Sequence, residues 1–320
     1  MSSKIFIDGA EGTTGLQLRQ RLLSHPEVKL ISISSDKRKD LNYKLEKFSE
    51  ADLIFLCLPD KESKKTVSEI NKQFGSQKVI IDASSAHRID KDWEYGFPEL
   101  NVNQKTLIRN ATRITNPGCY ATGALALIRP LIDNNIIDKS VTLNINAVSG
   151  YTGGGKKLIE YFSNQDKETF FYYSTFLDHK HLNEISKYGL LKKNPIFCPS
   201  VGAFPQGMAV SLPLHFDWMK DGVNGRKIHS IFKDRYRSEE FVALNPLNSK
   251  ASLTKEGFLS PEILIGTNYL NISIFSNDSS GQIWLIARLD NLGKGASGAA
   301  VQNMNLKFGF NEKLGTKLLK

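Results

Sequence analysis

The sequence is poor in cysteine and contains no long apolar run. Its three cysteines, Cys57, Cys119 and Cys198, lie far apart among 320 residues and form no C-x-x-C pair. This spacing argues against a disulfide framework or a zinc ribbon, and it favours a reducing compartment. No stretch approaches the roughly 18 to 20 apolar residues that a membrane span requires. The first apolar run, at 5–7, is too short for a secretory signal. We therefore expect a cytoplasmic protein without a membrane partner.

Charge of one sign is not concentrated in any segment. The chain has 42 Lys and Arg against 33 Asp and Glu, which gives a formal net charge of +9. Because the basic residues are scattered among acidic ones and no basic segment is rich in aromatics, we expect no nucleic-acid partner. The positive excess instead favours anionic small molecules. An apolar fraction of 40% predicts packed globular domains.

Two kinds of apolar pattern divide the chain. In the first half, apolar runs of strand length alternate with segments of helical character; they lie at 4–8, 28–33, 53–58 and 78–82. This order predicts a Rossmann-like, doubly wound parallel sheet. Later strands alternate with period two, which predicts an α+β domain with a mixed sheet; they lie at 141–148, 208–214 and 269–274. We expect a first domain at 1–118, completed by an amphipathic helix within about 295–320, and a second domain at 119–294.

A glycine-rich turn joins the first predicted strand to a predicted helix. It contains the candidate cofactor residues Gly9, Gly12, Thr13, Thr14 and Gly15. Glycines at this spacing let the backbone turn tightly and approach a pyrophosphate, which then lies at the helix N-terminus. The G-x-x-G-x-x-G order differs from the commoner G-x-G-x-x-G, and a simple turn between strand and helix is the alternative.

The end of the second strand bears on the choice of cofactor. Ser34, Ser35 and Arg38 offer hydroxyls and a guanidinium suited to a 2′-phosphate, which favours NADP(H), whereas Asp36 is compatible with NAD. Pro59 follows the third strand in a sharp turn. Because ligands bind beyond the carboxyl ends of parallel strands, we expect Pro59 to line the dinucleotide cleft.

Cys119 is the candidate nucleophile. It follows Asn116, Pro117 and Gly118 and opens a long apolar segment of helix length. The positive end of a helix dipole favours the thiolate, so a cysteine in the first turn is a competent nucleophile; a buried structural cysteine is the alternative. An acid/base partner could come from His179 or His181. These histidines and Glu184 also suggest a metal site, but no further ligand cluster supports one, and we expect no metal.

Two polar loops follow predicted strands and could bind anions. One, at 82–88, contains Ser85 and Arg88, whose hydroxyl and guanidinium suit a phosphate or a carboxylate. The other, at 149–157, begins with Ser149 and Gly150, and its glycines allow backbone N–H groups to surround an anion. This loop lacks the G-x-x-x-x-G-K-[ST] order of a loop that binds nucleoside triphosphates. Polar surface loops at strand ends are the alternative for both.

The combination of these motifs resembles the N-acetyl-γ-glutamyl-phosphate reductase family, and the similarity runs from Ile5 to Asn303. The motifs that carry it are the glycine-rich turn at 9–15, N-P-G-C-Y-A-T-G at 116–123, S-G-Y-T-G-G-G-K at 149–156, H-K-H-L-N-E at 179–184 and D-N-L-G-K-G-A-S-G-A-A at 290–300. The first and last look like the shorter of the family's two sequence classes. The resemblance implies arginine biosynthesis in the cytoplasm, NADP(H), and a homo-oligomer, a dimer or a tetramer, built through the second domain.

The resemblance also implies a reaction and roles for individual residues. Cys119 would attack the acyl phosphate of N-acetyl-L-glutamyl 5-phosphate, and hydride from NADPH would reduce the resulting thioester to the semialdehyde. His181 is favoured as the acid/base, with His179 a close second. The implied substrate-binding residues are Ser85, Arg88, Asn116, Ser149, Gly150 and Glu184, and Asn291 and Gly293 would contact the nicotinamide end of the cofactor.

Two other functions remain open on the sequence alone. Aspartate-semialdehyde dehydrogenase is similar in fold order and also uses a cysteine thioester with NADP, but it normally has Asn-Cys where this chain has Gly118-Cys119. A nucleotide-sensing regulator that retains a Rossmann-type domain belongs to a different class. Such a regulator would be expected to show a basic stripe, which this sequence lacks.

Overall fold

The computed structural model describes residues 2–34, 36–163 and 168–318. The chain forms two compact units, which are described one at a time. The first consists of Met1–Pro98, Val102–Pro117 and Ala296–Lys320, and the second of Glu99–Asn101 and Gly118–Gly295. None of the helices in the described ranges is long and apolar enough to cross a membrane.

The first unit contains a six-stranded parallel sheet. Its strands are β1 Ser3–Asp8, β2 Val28–Ile31, β3 Leu53–Leu56, β4 Val79–Asp82, β5 Glu94–Tyr95 and β6 Arg113–Thr115. The helices between them are α1 Thr13–Leu23, α2 Leu41–Glu50, α3 Asp60–Phe74 and α4 Gln104–Asn110. The strand order is β2-β1-β3-β4-β6-β5, and every neighbouring pair is parallel. The predicted Rossmann-like fold is confirmed.

The strand order creates one place where a ligand can bind. β1 and β3 are neighbours; the connection from β1 runs to β2 on one side, and the connection from β3 runs to β4 on the other. At such a switch point the loops separate and leave a crevice beyond the carboxyl ends of the strands. β3 is buried along its whole length, as its continuous Leu-Ile-Phe-Leu sequence predicts for a central parallel strand.

The second unit contains a seven-stranded mixed sheet. Its strands are β7 Asn144–Gly150, β8 Phe170–Tyr172, β9 Ile196–Gly202, β10 Met208–His215, β11 Val242–Leu244, β12 Leu270–Asn277 and β13 Gln282–Leu289. Their order is β11-β12-β13-β10-β7-β9-β8, and only the β11-β12 and β7-β9 pairs are parallel. This confirms the mixed sheet that the alternating pattern predicts.

Four helices accompany this sheet: α5 Cys119–Asp133, α6 Gly155–Ser163, α7 Leu182–Gly189 and α8 Gly225–Tyr236. Helix α5 is almost entirely buried and packs on β10 and β13. Gly123 makes this close approach possible, because a Cβ there would lie 2.6 Å from Cγ2 of Val210. The first residue of α5 is therefore held on a rigid element.

The last helix, α9 Gly298–Phe308, belongs to the first unit. Val301 and Met304 enter the same core as Ile5 and Leu18. The sequence pattern predicts an amphipathic helix, but every residue from Gly298 to Leu306 is buried. The difference arises because polar side chains on its other face are also enclosed: the Asn303 amide donates to the Gly96 carbonyl at 2.8 Å. A buried amide with such a partner does not incur the full desolvation cost.

Candidate active site

A cavity of about 910 Å³ lies in the first unit, at the switch point of its sheet. Of the predicted cofactor residues, Gly9, Gly12, Arg38 and Pro59 line it, and Thr13, Thr14 and Gly15 form the start of α1 beside it. Ser34 follows β2 and is not among the lining residues, and Ser35 lies outside the described residues.

The backbone of the glycine-rich turn requires glycine. Gly9 has a φ of +87°, and a Cβ there would lie 2.3 Å from the carbonyl oxygen of Cys57. A Cβ at Gly15 would lie 2.2 Å from the Gly9 oxygen. Gly12 is the N-cap of α1 and supplies no side-chain cap, so the N–H groups of the first turn can donate to an anion. These features fit the pyrophosphate of a dinucleotide.

Two ion pairs place cations on the wall of this cleft. The Arg38 guanidinium lies 2.5 Å from the Glu11 carboxylate, and Lys44 pairs with Asp8 at the end of β1. Burial raises the pKa of the Asp8 carboxyl, and the Lys44 ammonium partly offsets that rise. No sequence motif predicts roles for Asp8 and Lys44; the only local signal is an acidic residue directly before the glycine-rich turn. Cationic side chains here fit a phosphorylated cofactor.

Polar residues after β4 form a connected group in the first unit. The buried Asp82 carboxylate accepts hydrogen bonds from Ser63 at 2.9 Å, from Ser84 at 2.8 Å and from Nδ1 of His87 at 2.6 Å. This network fixes the loop that carries Ser85 and Arg88. Asp82 and His87 were not singled out by sequence reasoning, although both stand inside the predicted loop.

The two predicted anion-binding residues of that loop have protein partners. The Ser85 hydroxyl and main-chain N–H both donate to the Asp60 carboxylate, at 2.7 and 2.9 Å. Arg88 is buried, and its Nε donates to the Asn116 carbonyl at 3.0 Å. The Asn116 amide in turn donates to the Ala296 carbonyl at 2.8 Å. The structure therefore connects Arg88 and Asn116 and gives Ser85 a separate carboxylate partner.

In the second unit, Cys119 is the first residue of α5. Its N-cap is Gly118, whose main-chain N–H donates to Oε2 of Glu184 at 3.1 Å. The thiol is half-buried. Gly295 packs directly on it, since a Cβ at Gly295 would lie 2.7 Å from Cβ of Cys119. The predicted helix start is observed, and the cysteine stands where the dipole and the first-turn N–H groups stabilise negative charge.

The two candidate acid/base histidines lie together before α7. His181 is the N-cap of α7, and its Nε2 lies 3.9 Å from Oε1 of Glu184. The ring centroids of His179 and His181 are 4.5 Å apart. Tyr120, which follows Cys119, has its ring 6.0 Å from that of His181. The structure thus brings Glu184 and both histidines to the start of α5.

The other predicted residues of the second unit meet around a glycine loop. A Cβ at Gly153 would lie 3.2 Å from Oγ of Ser149 and 3.3 Å from Nδ2 of Asn291, so both side chains pack on this loop. The Ser149 hydroxyl donates to the Gly150 carbonyl at 3.0 Å. Gly293 is required by packing, since a Cβ there would lie 2.0 Å from the Thr267 oxygen.

Each unit thus holds part of a reaction apparatus. The first has a glycine-lined cleft with cations, and the second has a cysteine at a helix N-terminus with histidines and a carboxylate beside it. Among the described residues, no group of three or more His, Cys, Asp or Glu side chains is arranged to hold a metal ion. The combination is that of a two-domain dehydrogenase with Cys119 as the candidate nucleophile.

Comparison with known proteins agrees with this class. Residues 4–108 match the model of the semialdehyde dehydrogenase NAD binding domain, and residues 119–291 match that of the semialdehyde dehydrogenase dimerisation domain. N-acetyl-gamma-glutamyl-phosphate reductase 2 of Nostoc sp. is 43% identical over 98% of both chains. The reductase of Brucella ovis is 43% identical over 97% of this chain and all of its own. The chain belongs to the N-acetyl-γ-glutamyl-phosphate reductase family. Membership in an enzyme family argues against the nucleotide-sensing regulator.

Solved structures share the fold at much lower identity. Aspartate semialdehyde dehydrogenase II of Vibrio cholerae has a TM-score of 0.69 at 15% identity, covering 97% of this chain and 99% of its own. A probable aspartate-semialdehyde dehydrogenase of Pseudomonas aeruginosa has a TM-score of 0.72 at 13% identity, covering 96% and 99%. At such identities the likeness concerns the fold alone.

Proposed function

We propose that the chain catalyses the NADPH-dependent reduction of N-acetyl-L-glutamyl 5-phosphate to N-acetyl-L-glutamate 5-semialdehyde and phosphate, a step of arginine biosynthesis. The observation that carries the proposal is the position of Cys119 as the first residue of α5 in a chain of this family. The names of relatives that match over nearly the whole chain support the choice of substrate.

The chain's own residues account for the covalent steps. The Cys119 sulfur attacks the acyl carbon, a C–S bond forms, and the bond from that carbon to the phosphate oxygen breaks, which releases phosphate. Bound NADPH supplies the hydride that reduces the thioester. The hemithioacetal oxygen exchanges a proton with the nearby histidine pair, and the C–S bond then breaks to return the thiolate and release the aldehyde. Helix α5 favours the thiolate at the start and at the end of this sequence.

The binding roles follow the same proposal. In the first unit, the glycine-rich turn at 9–15 and Pro59 would hold the dinucleotide, with Ser34, Ser35 and Arg38 at its 2′-phosphate; in the second, Asn291 and Gly293 would lie toward the nicotinamide. The proposed substrate-binding residues are Arg88, Asn116, Ser149, Gly150, Glu184 and Ser85. Ser85 can donate to a substrate only if its hydroxyl leaves Asp60. Glu184 already supports the start of α5 through Gly118.

We also propose a cytoplasmic homo-oligomer, a dimer or a tetramer. The support for assembly is that residues 119–291 match a family model described as a dimerisation domain.

The substrate is tested by comparing two aldehydes in the oxidative direction. With NADP and phosphate, we expect N-acetylglutamate semialdehyde to be oxidised with a kcat/KM at least about 100-fold above that of aspartate semialdehyde. Buried polar groups that match one substrate reject a close analogue by such factors or more. NADPH formation at 340 nm measures both rates. A preference for aspartate semialdehyde would assign the chain the alternative activity and overturn the proposal.

Cofactor preference gives a second prediction. Arg38→Ala should raise the KM for NADP about 10- to 100-fold, the cost of losing a hydrogen bond to a charged group, and leave the KM for NAD nearly unchanged. Glu11→Gln should have the opposite effect. It removes the carboxylate that pairs with Arg38, so we expect it to lower the KM for NADP. Steady-state kinetics with each cofactor measure both. Equal effects of Arg38→Ala on NADP and NAD would contradict the 2′-phosphate role.

A further inference from the structure

Both ring nitrogens of His179 have partners within the second unit. Nδ1 accepts a hydrogen bond from the main-chain N–H of His181 at 3.1 Å, and Nε2 lies 3.1 Å from the Tyr173 hydroxyl. A main-chain N–H can only donate, so Nδ1 carries no hydrogen. The neutral ring therefore has its hydrogen on Nε2 and donates it to the Tyr173 oxygen.

The hydrogen-bond chain continues beyond Tyr173. The hydroxyls of Tyr173 and Tyr120 interact electrostatically, and the Tyr120 hydroxyl donates to the Ser200 carbonyl at 2.8 Å. The contacts thus run from His179 past two phenols to a carbonyl of β9. Burial raises the pKa of both phenols, so they keep their hydrogens throughout the neutral range. This series of contacts ends at β9, which has a neighbouring strand on each side and therefore provides a rigid anchor.

These hydrogen bonds connect to His181 through its main-chain N–H. His179 holds the main-chain N–H of His181, the residue at which α7 begins. In the His181 side chain, Nε2 lies 3.9 Å from the Glu184 carboxylate. His179 could take up a substrate proton only by giving up one of its two protein partners.

We propose that Tyr173 is a positioning residue which, through His179, holds His181 in place as the proton carrier for the hemithioacetal oxygen. The inference rests on the proposed function and settles the choice between the two histidines in favour of His181. Tyr173 and His179 then act together to position His181 for proton transfer, and neither contacts the reacting atoms.

The kinetic test uses the whole enzyme with NADP, phosphate and N-acetylglutamate semialdehyde. Tyr173→Phe removes one oxygen and keeps the ring. We expect the pre-steady-state burst of NADPH to slow about 10- to 100-fold, less than the 10²- to 10⁴-fold loss of an acid/base residue expected for His181→Asn. The KM for the semialdehyde should stay within about twofold. Tyr172→Phe is the control, since this neighbouring phenol is 63% exposed and should behave as wild type.

A double-variant cycle tests whether the two residues act as one unit. His179→Asn should slow the burst as much as Tyr173→Phe does, and the double variant should be no slower than either, because both changes break the same chain. Additive losses, or a His179→Asn variant as slow as His181→Asn, would overturn the proposal.

A spectroscopic measurement does not depend on turnover. In ¹⁵N-histidine-labelled wild-type protein, which has six histidines, His179 should show the tautomer protonated on Nε2 alone. The His179→Asn variant assigns the signal. A hydrogen on Nδ1 would overturn the inference even if Tyr173→Phe failed to fold. Wild-type protein without a burst would instead count against the proposed function.

Discussion

The Cys119→Ser variant is expected to lose phosphate-dependent reduction of NADP by N-acetylglutamate semialdehyde, while it still binds NADPH. The fall in kcat should be on the order of 10⁴- to 10⁶-fold, as found when an enzyme loses its covalent nucleophile. A serine hydroxyl at the start of α5 stays protonated at neutral pH, and the helix dipole that stabilises a thiolate cannot ionise it. NADPH fluorescence measures binding, and absorbance at 340 nm measures turnover.

The other two cysteines provide the controls. Cys198→Ser should keep its activity, because this half-buried residue lies on β9 and has no proposed role. Burial raises the pKa of Cys57 to about 12, so its thiol stays protonated and should resist iodoacetamide at neutral pH. Peptide mass spectrometry should therefore find alkylation at Cys119 and little at Cys57. Substantial turnover in Cys119→Ser would contradict the thioester mechanism.

The fold could be predicted from the sequence where the pattern is local. Continuous apolar runs such as 53–58 indicate strands covered on both faces, and the alternation at 208–214 indicates a strand of a mixed sheet. Both occur as expected, in β3 and β10. Helix α9 departed from its pattern because its polar residues find partners far away in the chain, as Asn303 does with Gly96. Periodicity counts such residues as exposed and cannot report a distant partner.

The residues of the candidate site also divide into those that a local motif predicts and those that depend on distant contacts. Cys119, the histidine pair and the glycine-rich turn stand in short motifs whose residue types carry the chemistry, so the sequence alone could indicate them. The partners that orient these residues could not be found in this way. Tyr120 lies 59 positions before His179 in the chain, and Lys44 lies 36 positions after Asp8. Only the folded chain brings such residues into contact.

The second large expected effect is on stability, and it concerns a buried ion pair that no sequence motif indicates. Nζ of Lys294 lies 2.8 Å from each carboxylate oxygen of Glu99, and the two side chains are 0% and 1% exposed. The ammonium also lies 5.5 Å from the ring centroid of Phe241. Replacement of Lys294 by Met should destabilise the protein by about 3–5 kcal/mol, because it removes the Lys294 ammonium from the buried Glu99 carboxylate. Urea unfolding measures the loss.

Two further variants separate charge burial from packing. In Glu99→Met/Lys294→Met both charges are gone, and we expect at least half of the lost stability to return, since a well-packed apolar pair is often as stable as a buried ion pair. Lys72→Met breaks the more exposed pair with Glu69 and should change the free energy of unfolding by less than about 1 kcal/mol. If the double variant is no more stable than Lys294→Met, the loss comes from packing and not from the removal of the Lys294 charge.

The position of this pair connects its stability effect with catalysis. Lys294 directly precedes Gly295, whose backbone packs against Cβ of Cys119. The Glu99 carboxylate therefore anchors the turn that packs against Cys119, the candidate nucleophile. In the double variant the fold is restored but that anchor is absent, so we expect kcat to remain below the wild-type value while NADPH still binds. A double variant with wild-type kcat would show that the pair contributes to the stability of the second unit alone.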